Sequence, residues 1–425
     1  MILTFLVVAM LVLLALRVPV AFALLLPCLM YVAFSEDISL GVALQRTVAG
    51  LNSFPLLAVP LFIMTGYLSN AAGLAERLFH WLFRILGRLP GSLGYVNVAS
   101  SVLFSWMSGA AIADAAALGS VLVPAMRRRG YEEGFALGLT GASSMIGPIM
   151  PPSIPAIIYA VTAGVSVGAL FFAGILPALV LAGVLCVYVF FAARRQAETA
   201  NEESLAGSRV SATLRALPVL GTPVIILGGI LGGLFTPTEA AAAAVMYVLF
   251  LSLCYRSLPL RELYAVLLRT AATTGSILLI VAAANLFGWV IAREQGPQHV
   301  AEALLGFTDN PYVFLLLVNL ALLLIGMLLE PVAALLITVP VLLPVAVQFG
   351  IDPLHLGVVM ILNLVIGLLT PPVGLVLYVL SSVTGAPFPR VVRGTLPFLI
   401  PLAVTLLLVT FLPALSLWVP RVFGI

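Results

Sequence analysis

The chain is built from apolar runs, each close to the length that crosses a bilayer. They lie at about 1–16, 18–34, 54–73, 91–126, 133–163, 168–193, 216–234, 236–255, 263–292, 311–349, 354–382 and 394–419. A span needs roughly 20 apolar residues, so this pattern predicts an all-α polytopic membrane protein in contact with the lipid bilayer along most of its length. Charge agrees: only 8% of the residues are charged, against about 25% in a soluble domain. All nineteen basic residues are arginine, and the net charge of +3 gives no reason to expect nucleic acid. Without lysine there is no G-x-x-x-x-G-K-[ST] nucleotide loop, so energy must come from elsewhere. Cys28, Cys186 and Cys254 lie far apart in apolar runs and read as packed thiols. The opening MILTFLVVAMLVLLALR has no basic stretch before its apolar run and reads as a first span, not a cleaved signal peptide.

Two of the runs are interrupted in the same way. GPIMPPSIPAIIY starts at Gly147 and GLLTPPVGLVLY at Gly367, and the proline pairs at Pro151 and Pro371 are 371 − 151 = 220 residues apart. The same shift brings Val121–Pro124 onto Val341–Pro344, Gly130 onto Gly350, Glu132 onto Asp352, and Ile146-Gly147 onto Ile366-Gly367. So many coincidences at one offset predict an internal duplication. The alternative is chance recurrence of the glycine and proline common in membrane helices.

Arginine placement orients the two copies, because arginine is enriched on the cytoplasmic side. The run 91–126 follows Arg77, Arg84 and Arg88 and precedes Arg127-Arg128-Arg129, so both of its ends read as cytoplasmic and it is expected to dip into the membrane as a re-entrant hairpin. The run 311–349 lies between Asp309 and Asp352 with no nearby arginine cluster, and its hairpin is expected to enter from outside. Arg46 and Arg293 are exceptions to the bias. The expected organisation is amino-terminal scaffold helices over 1–52, a first inverted repeat over 53–193, a polar cytoplasmic linker over 194–215, further scaffold helices over 216–262, and a second repeat over 263–419. Inverted repeats are the plan of many secondary transporters, which bind their solute near the midplane where broken helices meet.

A proline pair in hydrocarbon frees backbone carbonyls, which are tolerated only where protein, water or an ion satisfies them. Each break therefore reads either as a cation site or as a simple kink. Asp114, in SWMSGAAIADAAALGS, is an acid at membrane depth, a costly placement that points to a cavity or a partner; the other reading is a structural aspartate bonded to backbone. Glu330 is the acid of the second hairpin but is not its counterpart, since 330 − 114 = 216; it also fits a helix start. Ser143 and Ser144 either line a cavity or bond back to their own helix, and Asn363 and Thr370 fall in the same region of the second copy. Glu239, after Thr236-Pro237-Thr238, reads as a cap. His80, His299 and His355 form no H-E-x-x-H pair, so a zinc site is not expected.

SGAAIADAAALGSVLVPAMRRRGY, IGPIMPPSIPAIIYA, GLFTPTEAAAAAVMYVL, NLFGWVIAREQGPQ and EPVAALLITVPVLLPVAVQFGIDPLHLGVV together resemble signature stretches of one family. It is the large membrane subunit of tripartite ATP-independent periplasmic (TRAP) transporters, and the likeness covers roughly residues 50 to 385. Many relatives carry a small hydroxyl residue where this chain has Ala110.

The resemblance implies an inverted-repeat, elevator-type secondary active transporter of the bacterial inner membrane, not an enzyme, importing a small organic anion by sodium symport. It also implies two partners, a periplasmic substrate-binding protein and a small four-helix membrane subunit. Carried onto matching positions, one sodium site uses Ser105 and Ser108 with backbone oxygens near Gly147, Met150 and Pro151. The other uses Gly326 with Gly367, Thr370 and Val373. The substrate carboxylate approaches Gly109, Ser144, Pro152 and Ser153, with Asp114 close by. A stand-alone sodium:carboxylate symporter of similar design, a polytopic membrane enzyme and a passive membrane scaffold are the competing readings.

Overall fold

The computed structural model describes residues 2–35, 37–87, 91–193, 209–306 and 308–424. Among the described residues the structure is helical with no strand, as lipid requires of a non-barrel chain. The first helices are α1 (Ile2–Ala15), α2 (Val20–Phe34), α3 (Leu40–Ala49), α4 (Ala58–Ala71) and α5 (Leu74–Leu86). A hairpin of α6 (Ser92–Ser108) and α7 (Ala111–Arg128) follows, then α8 (Glu133–Ser144), an unwound stretch, α9 (Ile154–Ala163) and α10 (Val167–Ala193). The middle holds α11 (Arg209–Pro223), a π turn at Val224–Gly228, α12 (Gly229–Leu231), α13 (Pro237–Tyr255), α14 (Leu260–Arg293) and α15 (Gly296–Leu305). A second hairpin, α16 (Pro311–Leu328) and α17 (Pro331–Gln348), leads to α18 (Pro353–Gly367), another unwound stretch, α19 (Leu375–Thr384), α20 (Phe388–Thr395), α21 (Leu399–Phe411) and α22 (Ala414–Phe423).

The 220-residue register of the sequence holds element by element. Within a residue or three at each end, α5 falls on α15, α6 on α16, α7 on α17, α8 on α18 and α9 on α19, while α10 falls on the stretch from α20 to α21. The match reaches further back than the sequence motifs do, because α4 falls on the second half of α14. Both breaks carry a cis proline bond, Pro151-Pro152 and Pro371-Pro372. The turn joining each hairpin to its broken helix uses a left-handed glycine, Gly130 at φ 83° and Gly350 at φ 73°, a conformation a side chain disfavours.

Several packing contacts recur in both copies. Within a copy the first hairpin helix lies on the first half of the broken helix, α6 on α8 and α16 on α18. Between copies the second hairpin helix lies on the second half of the opposite broken helix, α7 on α19 and α17 on α9. The exchange is reciprocal, as expected of two halves related by a pseudo-two-fold. Seven of the described helical stretches are long and apolar enough to cross a membrane by length and composition, including both helices of the second hairpin. By contrast α9 and α19 have ten residues each, about 15 Å at 1.5 Å per residue, half of a hydrocarbon core of about 30 Å.

The polar segment expected as a linker is helical from Arg209, where α11 begins, and its part at 194–208 lies outside the described residues. So does Arg88. Glu239 closes a capping box with Thr236: the Glu239 amide donates to Thr236 Oγ1 at 3.3 Å and the Thr236 amide to Glu239 Oε2 at 2.8 Å. The two exceptional arginines flank one ring, Arg46 and Arg293 lying 5.6 and 5.9 Å from the Trp289 centroid.

Candidate functional site

Hairpin one ends on the first break. The chain turns at Gly109 (φ 60°), the left-handed cap of α6, whose amide donates to the Ser105 carbonyl at 3.2 Å. A Cβ at Gly109 would strike the Pro152 carbonyl oxygen and come within 3.5 Å of the Ile154 amide. Only a residue without a side chain lets the tip settle on the proline loop. Pro151, Pro152 and Ser153 are buried beneath it.

Asp114 joins the two pieces. It is fully buried in the first turn of α7; Oδ1 accepts a hydrogen bond from Ser108 Oγ, and Oδ2 has no hydrogen-bond partner among the described residues. A Cβ placed on Gly147 would collide with Oδ2, so the carboxylate lies directly against that glycine. In the unwound stretch the Pro148 carbonyl accepts from Ser153 Oγ, whereas those of Gly147, Met150 and Pro151 accept no hydrogen bond among the described residues. Of the two hydroxyls at the end of α6, Ser105 Oγ donates to the Val102 carbonyl at 2.6 Å and Ser108 Oγ to Asp114; unpartnered carboxylate and carbonyl oxygens are the kind of hard donor that suits a small cation. Two other serines make local bonds: Ser144 Oγ donates to the Gly141 carbonyl at 2.8 Å, and Ser153 Oγ caps α9 by accepting from the Ala156 amide at 3.1 Å.

The second break is more open. Gly326 and Gly367 meet backbone to backbone: a Cβ on Gly367 would lie 2.6 Å from the Gly326 Cα, and one on Gly326 would lie 2.8 Å from the Leu364 carbonyl oxygen. Thr370 Oγ1 donates to the Ile366 carbonyl at 2.9 Å, and its amide donates to Gly367 at 3.0 Å. Thr370 and Val373 are half-buried and Pro372 is exposed, unlike the covered prolines of the first break. Glu330 occupies the N-cap position of α17 without a side-chain capping bond. At the 220 shift its counterpart is Ala110, so the hairpins place their acids differently: Asp114 inside the helix, Glu330 at the turn.

Sequence reasoning missed the polar ladders that tie each hairpin to its broken helix. In the first copy Ser101 Oγ donates to Ser143 Oγ (2.8 Å), Ser143 to Asn97 Oδ1 (2.8 Å) and Asn97 Nδ2 to Thr140 Oγ1 (2.7 Å). In the second, Asn363, the counterpart of Ser143, donates to Asn319 Oδ1 at 2.8 Å and its carbonyl at 2.9 Å, and Asn319 donates to Thr410 Oγ1 at 2.9 Å. The available signal was asparagine inside apolar runs at 97 and 319. Beside hairpin one a cavity of about 520 Å³ runs from Ser108 and Ala110 at the tip past Ser120, between α4 and Thr273 of α14. Two of its lining residues, Tyr67 and Thr273, are hydrogen-bonded to each other, with Oη and Oγ1 3.0 Å apart.

A chain that is helical throughout its described residues, with duplicated hairpins interlocked around two broken helices, is a polytopic membrane transport protein. More narrowly, the chain belongs to the family described as "Tripartite ATP-independent periplasmic transporter, DctM component", whose model matches residues 7–415. It is 44% identical over 406 residues to the sialic acid TRAP transporter large permease protein SiaM of Vibrio cholerae serotype O1, with 95% of each chain covered. It is 40% identical over 394 residues to the C4-dicarboxylate TRAP transporter large permease protein DctM of Pseudomonas aeruginosa, with 92% of each covered. Among solved structures it resembles the Alcanivorax borkumensis YdaH transporter, described as having an unusual topology, with a TM-score of 0.65 over 92% of this chain and 90% of that one. At 17% identity that likeness concerns the fold. The chain is a transporter permease and not an enzyme.

Proposed function

We propose that the chain is the large permease of a sodium-coupled importer of a small organic carboxylate in the bacterial inner membrane. The observation carrying this reading is the unpartnered, fully buried Oδ2 of Asp114 lying against Gly147 under the tip of hairpin one. A carboxylate at that depth is costly without a compensating charge, and a sodium ion held with the Gly147, Met150 and Pro151 carbonyls and the Ser105 and Ser108 hydroxyls supplies one. The second sodium is assigned to Gly326, Gly367, Thr370 and Val373. The solute carboxylate is assigned to the space between the breaks, bordered by Gly109, Ser144, Pro152 and Ser153.

The two hairpins enter from opposite faces and move with the broken helices as one transport body, an elevator sliding against α1–α4 and α11–α14. The similarity to the SiaM and DctM permeases supports a carboxylate cargo, since sialic acid and C4-dicarboxylates both carry that group. A periplasmic binding protein delivers the solute, and a separate small membrane subunit braces the scaffold.

The test is uptake of labelled sialic acid and succinate by proteoliposomes containing this chain, the small subunit and the solute-loaded binding protein. Accumulation that requires an inward sodium gradient and all three parts is expected. Uptake without the binding protein would favour a stand-alone symporter, and sodium-independent uptake would refute the coupling.

A further inference from the structure

A second cavity, of about 480 Å³, is the counterpart of the one beside hairpin one. The first is lined by Ala116 and Ser120 of α7 and by Thr273; the second by Leu336 and Pro340 of α17 and by Ser53. Each of these pairs is related by the 220-residue shift. The cavities differ in depth: the first reaches its hairpin tip at Ser108 and Ala110, whereas the second comes no closer to the Glu330 turn than Leu336. They also differ in charge. The charged residue lining the first is Glu76, and that lining the second is Arg46.

Arg46 is held there by its backbone. Asn285 Nδ2 donates to the Arg46 carbonyl at 2.9 Å, and Gly50 allows the approach, since a Cβ there would lie 2.6 Å from Asn285 Cβ. The guanidinium is left over the Trp289 ring, 5.6 Å from its centroid, and forms no ion pair among the described residues. Glu294, the acid that follows Arg293, accepts from the Tyr31 hydroxyl at 2.5 Å. An arginine without a counter-ion, an aromatic ring and the Asn285 and Ser53 polar groups thus share one concave site. Guanidinium binds carboxylate as a two-pronged donor, and a few polar groups in an otherwise apolar cleft fix a ligand's orientation.

We propose that this cavity is an outer recruitment site for the transported organic anion, with Arg46 receiving its carboxylate and Trp289 lying beside its body. The site rests on the import reading above. It also accounts for an arginine on the face where positive charge is otherwise scarce.

The probes are succinate and sialic acid. Replacing Trp81, Trp106 and Trp418 with Phe leaves Trp289 as the sole indole, and the emission of the purified protein is titrated with each anion. A saturable change is expected, with half-saturation rising about tenfold or more in Arg46→Gln, the equivalent of about 1.4 kcal/mol. Titration calorimetry on the parent chain and R46Q gives the same comparison should the triple variant fail to fold. No saturable response to either anion, or equal half-saturation in R46Q, would overturn the site. Sodium-driven uptake in the three-part proteoliposomes is scored separately. Uptake without a response at Trp289 defeats the recruitment site alone, while a response without uptake defeats the import reading alone.

Discussion

Asp114 and Gly147, 33 positions apart by subtraction of their numbers, are in direct contact: one carboxylate oxygen of the aspartate occupies the space a side chain at 147 would need. The other accepts from Ser108. One side chain therefore links the hairpin, its tip and the break. Replacing Asp114 with Asn keeps the shape and removes the charge. Sodium-driven uptake is expected to fall about tenfold or more, with the chain still inserted and monodisperse, because the carboxylate sits at a depth where only function or pairing repays it. Uptake and gel filtration on the same preparation check this.

Gly147→Ala approaches the same contact from the backbone side. The added methyl must displace Asp114, and overpacking of this kind costs about 1–3 kcal/mol. A lower melting temperature together with weakened sodium dependence is expected in a thermal-shift series with and without sodium.

Gly109→Ala meets two obstacles, a left-handed backbone that costs an L-residue about 1–2 kcal/mol and the Pro152 carbonyl in the path of its Cβ. Uptake is expected to be lost even where the protein still folds, since the tip can no longer rest on the break. Disulfide trapping between cysteines at 110 and 153 reads the contact, and trapping as efficient in the variant as in the parent would contradict it.

A contrasting result is expected at Thr236. Thr236→Ala removes a helix cap worth about 1 kcal/mol, at the start of α13 and outside both unwound stretches. The melting temperature should drop slightly while the sodium concentration giving half-maximal uptake stays unchanged.

Asn363→Ala is predicted to destabilise through its partner. It leaves buried Asn319 without the acceptor-to-amide bonds at 2.8 and 2.9 Å, at a cost of about 1–3 kcal/mol for an orphaned buried group. Denaturation in detergent measures it.

What could be read from the sequence was whatever proline, glycine and charge record. Single prolines such as Pro124 and Pro344 stay inside their helices, but the adjacent pairs at Pro151 and Pro371 mark the breaks because two successive ladder amides are lost, and Gly130 and Gly350 mark the turns because their backbone is left-handed. The cross-packing of α7 on α19 and α17 on α9 left no such record. Helices that are apolar on every side carry no direction for their buried face, so partner choice depends on shape. The extension of the duplication to α4 and α14 was hidden for the same reason. Ser153, which the family resemblance assigns to the solute, caps α9, a role the sequence pattern did not mark. The helix beginning at Arg209 was obscured by the polar composition around it. Arg46 and Arg293 departed from the arginine bias, and the residue that gathers them, Trp289, gave no sign of doing so.

The central claim is that the paired breaks bind sodium ions that travel with the solute. Simultaneous flux of ²²Na and labelled solute in the three-part proteoliposomes tests it most directly. Sodium is expected to enter with the solute in a fixed ratio above one, and both fluxes to vanish together in Asp114→Asn. Solute accumulation without accompanying sodium, or D114N vesicles in which both fluxes match the parent, would contradict it.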